Sequence, residues 1–130
     1  MKIDVSIGEL VDKVSILAIK LKKVKNRDKL KNIQKEYDLL KVPMEECGIK
    51  TDSEYFKKLQ EVNSRLWVIE DEIRIKEVNQ EFDKDFIRLA RSVYFENDER
   101  AAIKKEININ FGSDLVEEKE YVDYKDNTAK

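Results

Sequence analysis

The apolar residues Ile7, Leu10, Val14, Leu17, Leu21 and Val24 recur at intervals of three and four, and no other feature constrains the fold as much. Residues spaced in this way line one stripe of an α-helix, whereas a strand would alternate at every second position. Val11 and Ala18 widen the stripe. Ser6-Ile7-Gly8-Glu9 opens it as a capping box, with Ser6 accepting from the third helical amide and Glu9 reaching back to the Ser6 amide. The reading is a helix over 7–24. A second run, Leu30, Ile33, Tyr37 and Leu40, keeps the spacing but lies two residues out of phase. Continuing the first seam would put Asp28 and Lys31 on it, so one straight helix cannot serve both runs. A tight turn is expected at Lys25-Asn26-Arg27, with Asn26 capping a second helix to about Lys41. Pro43 and Gly48 then mark a loop from Val42 to Lys50.

Thr51-Asp52-Ser53-Glu54 repeats the capping-box pattern. The helix behind it carries Phe56, Leu59, Val62, Leu66, Ile69 and Ile73, with Trp67 beside the stripe, and extends to about Glu81. Its length and its tryptophan mark it as the central helix. Asp83 caps a further helix with Phe86, Leu89, Ala90, Val93 and Tyr94. Asn97-Asp98 is either the cap of a fifth helix or a polar insertion in one long helix; the same stripe continued would place Glu96 and Arg100 on the seam, which favours a bend there. Ile107, Ile109 and Phe111 alternate, which suits an extended end, and Gly112 is the stop. Val116, Tyr121 and Tyr124 are placed to pin an acidic tail, and residues 125–130 read as frayed. The expected fold is all-α, an antiparallel bundle of four to five helices with a long central helix and an irregular C-terminal tail. It forms one domain over 1–124.

Composition narrows the function. Only three glycines and one proline occur in 130 residues, too few for a sandwich or barrel of short strands, and 41% hydrophobic content is too high for a disordered chain. No apolar run reaches about 18 residues, so no membrane span is expected, and the N-terminus lacks the apolar core of a signal peptide. The single cysteine, Cys47, allows no internal disulfide, which suggests a cytoplasmic, reducing setting. The absence of histidine excludes Ser-His and Cys-His nucleophiles, imidazole zinc sites and Glu-x-x-His di-iron bundles. No cofactor is expected; a metal, if used, would be an oxygen-loving ion such as magnesium.

Four groups of residues could carry chemistry. Asn63, Glu70, Asp71, Arg74 and Glu77 form a polar ridge beside the apolar stripe of the third helix. Facing Arg88, Arg91, Asp98 or Arg100, the ridge could close an inter-helix pocket, and Glu70, Glu77 and Asp98 could hold magnesium for phosphate chemistry. The plainer reading is a salt-bridge network that fixes helix register. Arg91, Tyr94, Asn97, Asp98 and Arg100 crowd one ten-residue block that suits an anion, or equally a capped helix junction. The lysine-rich stretch from Lys20 to Lys35 could grip phosphates, but it has few aromatics and the chain's net charge is −2, so a solvated surface is favoured and no nucleic acid is expected. Cys47 follows Glu45 and Glu46, which disfavour its thiolate.

Taken together, several of these segments resemble a family of short helical proteins of unknown function from bacteria and their phages. The resemblance rests on Ile7-Gly8-Glu9-Leu10 with Asp12-Lys13; on Asn63, Leu66-Trp67, Glu70-Asp71 and Ile73-Arg74; on Leu89-Ala90-Arg91-Ser92-Val93-Tyr94; on Asn97-Asp98, Arg100-Ala101, Ile103-Lys104 and Ile107-Asn108; and on Gly112-Ser113 with Glu117-Glu118-Lys119. Glu120 stands where that pattern has serine. The family implies no established activity, and an association of some members with surface-polysaccharide glycosyltransferases is a hint of context. The reading is a non-enzymatic helical module that forms homo-oligomers or docks on a partner protein, possible service to surface-polysaccharide assembly included. Two alternatives stand beside it. One is a small magnesium-dependent enzyme acting on a nucleotide or phosphate ester, and the other a binding protein for an anion or sugar phosphate.

Overall fold

The computed structural model describes residues 1–125, and the described residues form four helices: α1 (Ile7–Lys23), α2 (Arg27–Glu46), α3 (Glu54–Val78) and α4 (Lys84–Asn110). The fold is an all-helical bundle. Residues 126–130 of the tail that was expected to fray lie outside the described residues.

The N-termini show which local signals decide. Ser6 Oγ accepts from the Glu9 amide at 3.1 Å, Asn26 Oδ1 from Lys29 at 3.0 Å and Asp83 Oδ1 from Phe86 at 2.9 Å. Half of the first capping box is absent, because Glu9 turns outward to the Lys104 ammonium at 2.6 Å, where a charge-assisted bond outcompetes a neutral amide. At α3 the cap is Ser53, not Thr51, and its side chain makes no capping bond. The Ser53 carbonyl instead accepts from Lys57 at 3.0 Å.

The helix ends depart further from expectation. α2 does not stop at Lys41 but runs through Pro43 to Glu46. Proline removes one amide donor near the end of the helix, while fully buried Met44 holds the last turn in the core. The turn closes as a Schellman motif: Gly48 takes φ +93°, and Ile49 donates to the Met44 carbonyl at 3.3 Å. Met44 and Ile49 are both fully buried there. α3 ends at Val78, short of Glu81, in the same motif, with Gln80 in the left-handed region at φ 55° and Glu81 donating to Lys76 at 2.9 Å. α4 is one continuous run of 27 residues without the favoured break at Asn97, and it stays helical through Ile107 and Ile109. The charged residues on its seam do not break it because they find partners in place: Arg100 on α1 and Glu96 with Arg65 on α3 at 2.9 Å. Gly112, at φ +66°, ends it as expected.

The connections set the directions. Three residues join α1 to α2 and five join α3 to α4, and each pair packs as an antiparallel hairpin. Gly8 meets Asn108 and Asp12 meets Arg100, so α4 runs antiparallel to α1 as well. The helix that touches all three others is therefore α1 rather than α3. A residue-level reason is that α1 carries two buried faces. The seam at 7, 10, 14, 17 and 21 is covered in part by α2, and Gly8, Asp12, Ser15 and Ile19 are buried towards α3 and α4. The core gathers Val11, Val14, Met44, Phe56, Leu59, Val62, Ile103 and Ile107. On α3 burial stops at Leu66; Ile69 and Ile73, expected in the core, are only half-buried. Of the described residues between 67 and 99, Leu89 alone is buried. The outer half of the α3–α4 hairpin thus lacks a third helix over it.

Candidate functional site

Three helices meet at Asp12, whose side chain is 1% exposed. Arg100 of α4 donates through Nε to Oδ1 at 3.0 Å and through Nη2 to Oδ2, a two-point contact that guanidinium geometry favours. Asn63 of α3 donates through Nδ2 to Asp12 Oδ1 at 2.8 Å and to Ser15 Oγ at 3.0 Å, and the Ser15 hydroxyl donates to the Asp12 carbonyl at 2.7 Å. Lys104 Nζ adds a longer contact to Asp12 at 3.8 Å. Among the described residues no buried side-chain nitrogen or oxygen lacks a partner. The Asp12 carboxylate beside it holds the Arg100 guanidinium above its usual range, against the opposing effect of burial.

One turn nearer the N-terminus, backbone contacts continue this seam. The Gly8 amide donates to Asn108 Oδ1 at 2.6 Å, and the Ile7 amide to Ser113 Oγ at 3.0 Å. A Cβ on Gly8 would stand 2.5 Å from the Lys104 carbonyl oxygen, so only glycine lets α1 and α4 approach this closely. Sequence reasoning named Asn63 and Arg100 as site residues, but Asp12, Lys104 and Asn108 entered only through the family resemblance and Ser15 not at all. The signal was present as Gly8, Asp12, Ser15 and Ile19 at helical spacing on α1, hidden by the stronger apolar seam beside it.

The remaining expected site residues are brought together only in part: Glu70, Asp71 and Arg74 share a cavity lining with Asn63, Asn97 and Arg100, whereas Glu77, Arg91, Tyr94 and Asp98 lie outside it. Glu70, half-buried, and Arg74, exposed, pair one turn apart on α3, and Glu77 is exposed. Asp98 accepts from the Tyr124 hydroxyl and lies 3.9 Å from Lys125. The carboxylates Glu70, Glu77 and Asp98 are thus not assembled, and among the described residues no three such groups are placed to hold a metal ion. Arg91 lies over the Phe95 ring at 5.6 Å. Asn97 accepts weakly from Arg100 Nη1 at 3.4 Å, and Tyr94 packs edge-on against Tyr124 at 4.9 Å. The lysines from Lys22 to Lys35 are exposed, and Cys47 is the half-buried C-cap of α2.

Asn97 and Arg100 form a wall with a cavity on each side. One, about 490 Å³, lies against α1 and α3 under Trp67, Glu70 and Arg74. The other, about 550 Å³, lies between α4 and the tail, lined by Tyr94, Tyr121, Tyr124 and Lys119 besides the wall. The tail is tied down by Glu117 to Lys104 at 3.3 Å and Glu118 to Lys105 at 3.2 Å. Lys119 and Lys104 hold the Glu117 carboxyl below its usual range. Desolvation against its neighbours and the bond to Asp98 push the Tyr124 phenol up to about 12.

These features define an all-helical bundle whose first and last helices are locked by a buried, fully satisfied polar cluster. The chain belongs to the family of unknown function DUF6165, whose model matches residues 1–128. Comparison with curated proteins and with solved structures gave no match. No helix among the described residues is long and apolar enough to cross a membrane.

Proposed function

We propose that the chain is a self-associating helical module, in which the outer half of the α3–α4 hairpin pairs with the same hairpin of a second copy. The observation that carries this reading is the exposure of Val68, Ile75, Val78, Phe82 and Ile87, between 46% and 80% each, on that hairpin. Two helices facing solvent on both sides enclose no core, whereas two such hairpins together make a four-helix core. The charges favour a second copy over an unrelated partner. Outer α3 carries Glu70, Asp71, Glu72 and Glu77 against Arg74 and Lys76, and outer α4 carries Lys84, Arg88 and Arg91 against Asp85. A two-fold arrangement sets the acidic helix of each copy on the basic helix of the other. Burying an Ile, Val or Phe side chain contributes about 1.5–3 kcal/mol each before the cost of association is subtracted. In surface-polysaccharide assembly, the context at which its family resemblance hints, the protein would act as a scaffold and not as the catalyst.

Light scattering across a concentration series tests the reading. The expected result is a dimer that the Ile75→Asp, Val78→Asp double variant converts to a monomer of unchanged helical content. A wild-type chain that stays monomeric at every concentration contradicts it.

A further inference from the structure

The second cavity on the Asn97–Arg100 wall borders the proposed pairing end only at Val93 and Tyr94 and has its own chemistry. It is about 550 Å³, within the range that holds a small molecule, and it combines aromatic walls with a few converging polar groups. Tyr94 and Tyr124 meet edge-on at 4.9 Å on its α4 side, and Tyr121, 73% exposed, stands at its mouth. Of its charged lining residues, Arg100, Lys104 and Lys119 are cations and Asp98 is the carboxylate.

The partners of these groups decide what the cavity can take. Asp98 already accepts from Tyr124 and is neighboured by Lys125, so its charge is partly met. Lys104 is committed to Glu9, Glu117 and Asp12. Arg100 spends Nε and Nη2 on Asp12, while Nη1 reaches only the Asn97 oxygen at 3.4 Å. Among the described residues, Lys119 pairs with one carboxylate, Glu117, at 2.9 Å. Among the described residues, donors with remaining capacity therefore belong to Arg100, Asn97 and Lys119, and all three residues line the cavity together with tyrosines. We infer that this cleft binds a small ring-bearing anion, its phosphate or carboxylate on Arg100 and Lys119 and its ring against Tyr121 and Tyr124. The tail supplies four of the eleven lining residues, so binding also fastens the tail to α4.

Isotope-labelled full-length chain titrated with phenyl phosphate, benzoate, phenol and inorganic phosphate tests this by amide chemical shifts. Phenyl phosphate or benzoate is expected to give saturable shifts confined to residues 93–101 and 117–125, with phenol and inorganic phosphate at least about tenfold weaker. Lys119→Met and Tyr121→Ala, both at exposed positions, should each weaken the ring anion about tenfold. The proposal is overturned by the absence of saturable shifts with either ring anion, by inorganic phosphate binding as tightly, or by affinity unchanged in both variants.

Discussion

Asn63 and Ile75 are carried by one helix, a little over three turns apart, yet their surroundings are opposite. Asn63 is buried and bonded to two α1 side chains, whereas Ile75 is 60% exposed. Both regions face α4, and the difference lies in whether a third helix is present. Where α1 lies across the hairpin, even polar side chains are buried and satisfied. Where it does not, apolar side chains face water and leave an edge that a second copy can cover. A buried network is weak evidence of net stabilisation, because ion desolvation offsets much of the attraction. Its sharper effect is on register: Asp12 can satisfy Arg100 and Asn63 together only in one alignment of α1, α3 and α4.

This contrast can be broken most directly at Asp12. Asp12→Ala leaves Arg100 without its carboxylate and Asn63 with Ser15 Oγ as its remaining acceptor, and should lower stability by about 3 kcal/mol. Chemical denaturation will read this as a lower midpoint, and a loss below about 1 kcal/mol would mean that the cluster does not lock the helices. Gly8→Ala is next, at about 2 kcal/mol, since its Cβ meets a backbone oxygen that can move only with α4.

Much of the bundle was legible in the residues. The phase slip between Val24 and Leu30 placed the first turn, and Asn26, Asp83 and Gly112 marked real helix ends. What misled was reading each helix as one-sided. The apolar seam of α1 hid its second face, and with it Asp12, Ser15 and the central position of the helix. Arg100 on the α4 seam favoured a bend because a charge there needs a partner, and its partner lay 88 residues away in the chain. Ile69 and Ile73 fit the α3 stripe, but no sequence pattern on α3 records where α1 stops covering it.

The tail offers a pH-dependent test at the inner end. Because Tyr124 titrates near 12 in the folded chain, above the ordinary phenol value of 10.0, its hydrogen bond to Asp98 favours docking fully below about pH 10. That contribution is lost as pH rises through 12. Tyrosine absorbance should show one phenol ionising last, and Tyr124→Phe should remove that step. Glu117 has the opposite sign: its depressed carboxyl favours docking above the usual value of 4.5, and the contribution fades as pH falls through the lower folded value. The smallest effect belongs to the outer end. Gln80→Gly relieves a left-handed backbone and forfeits a side-chain bond to the Glu77 carbonyl, for a net gain of about 0.5 kcal/mol.

The division between a locked end and a pairing end is tested most directly by hydrogen exchange on the full chain at low and high protein concentration. Amides over 67–95 should exchange faster when dilute and gain protection as concentration rises, while those over 8–19, 56–66 and 100–108 stay equally protected throughout. Uniform protection along α3 and α4 that does not depend on concentration would contradict it.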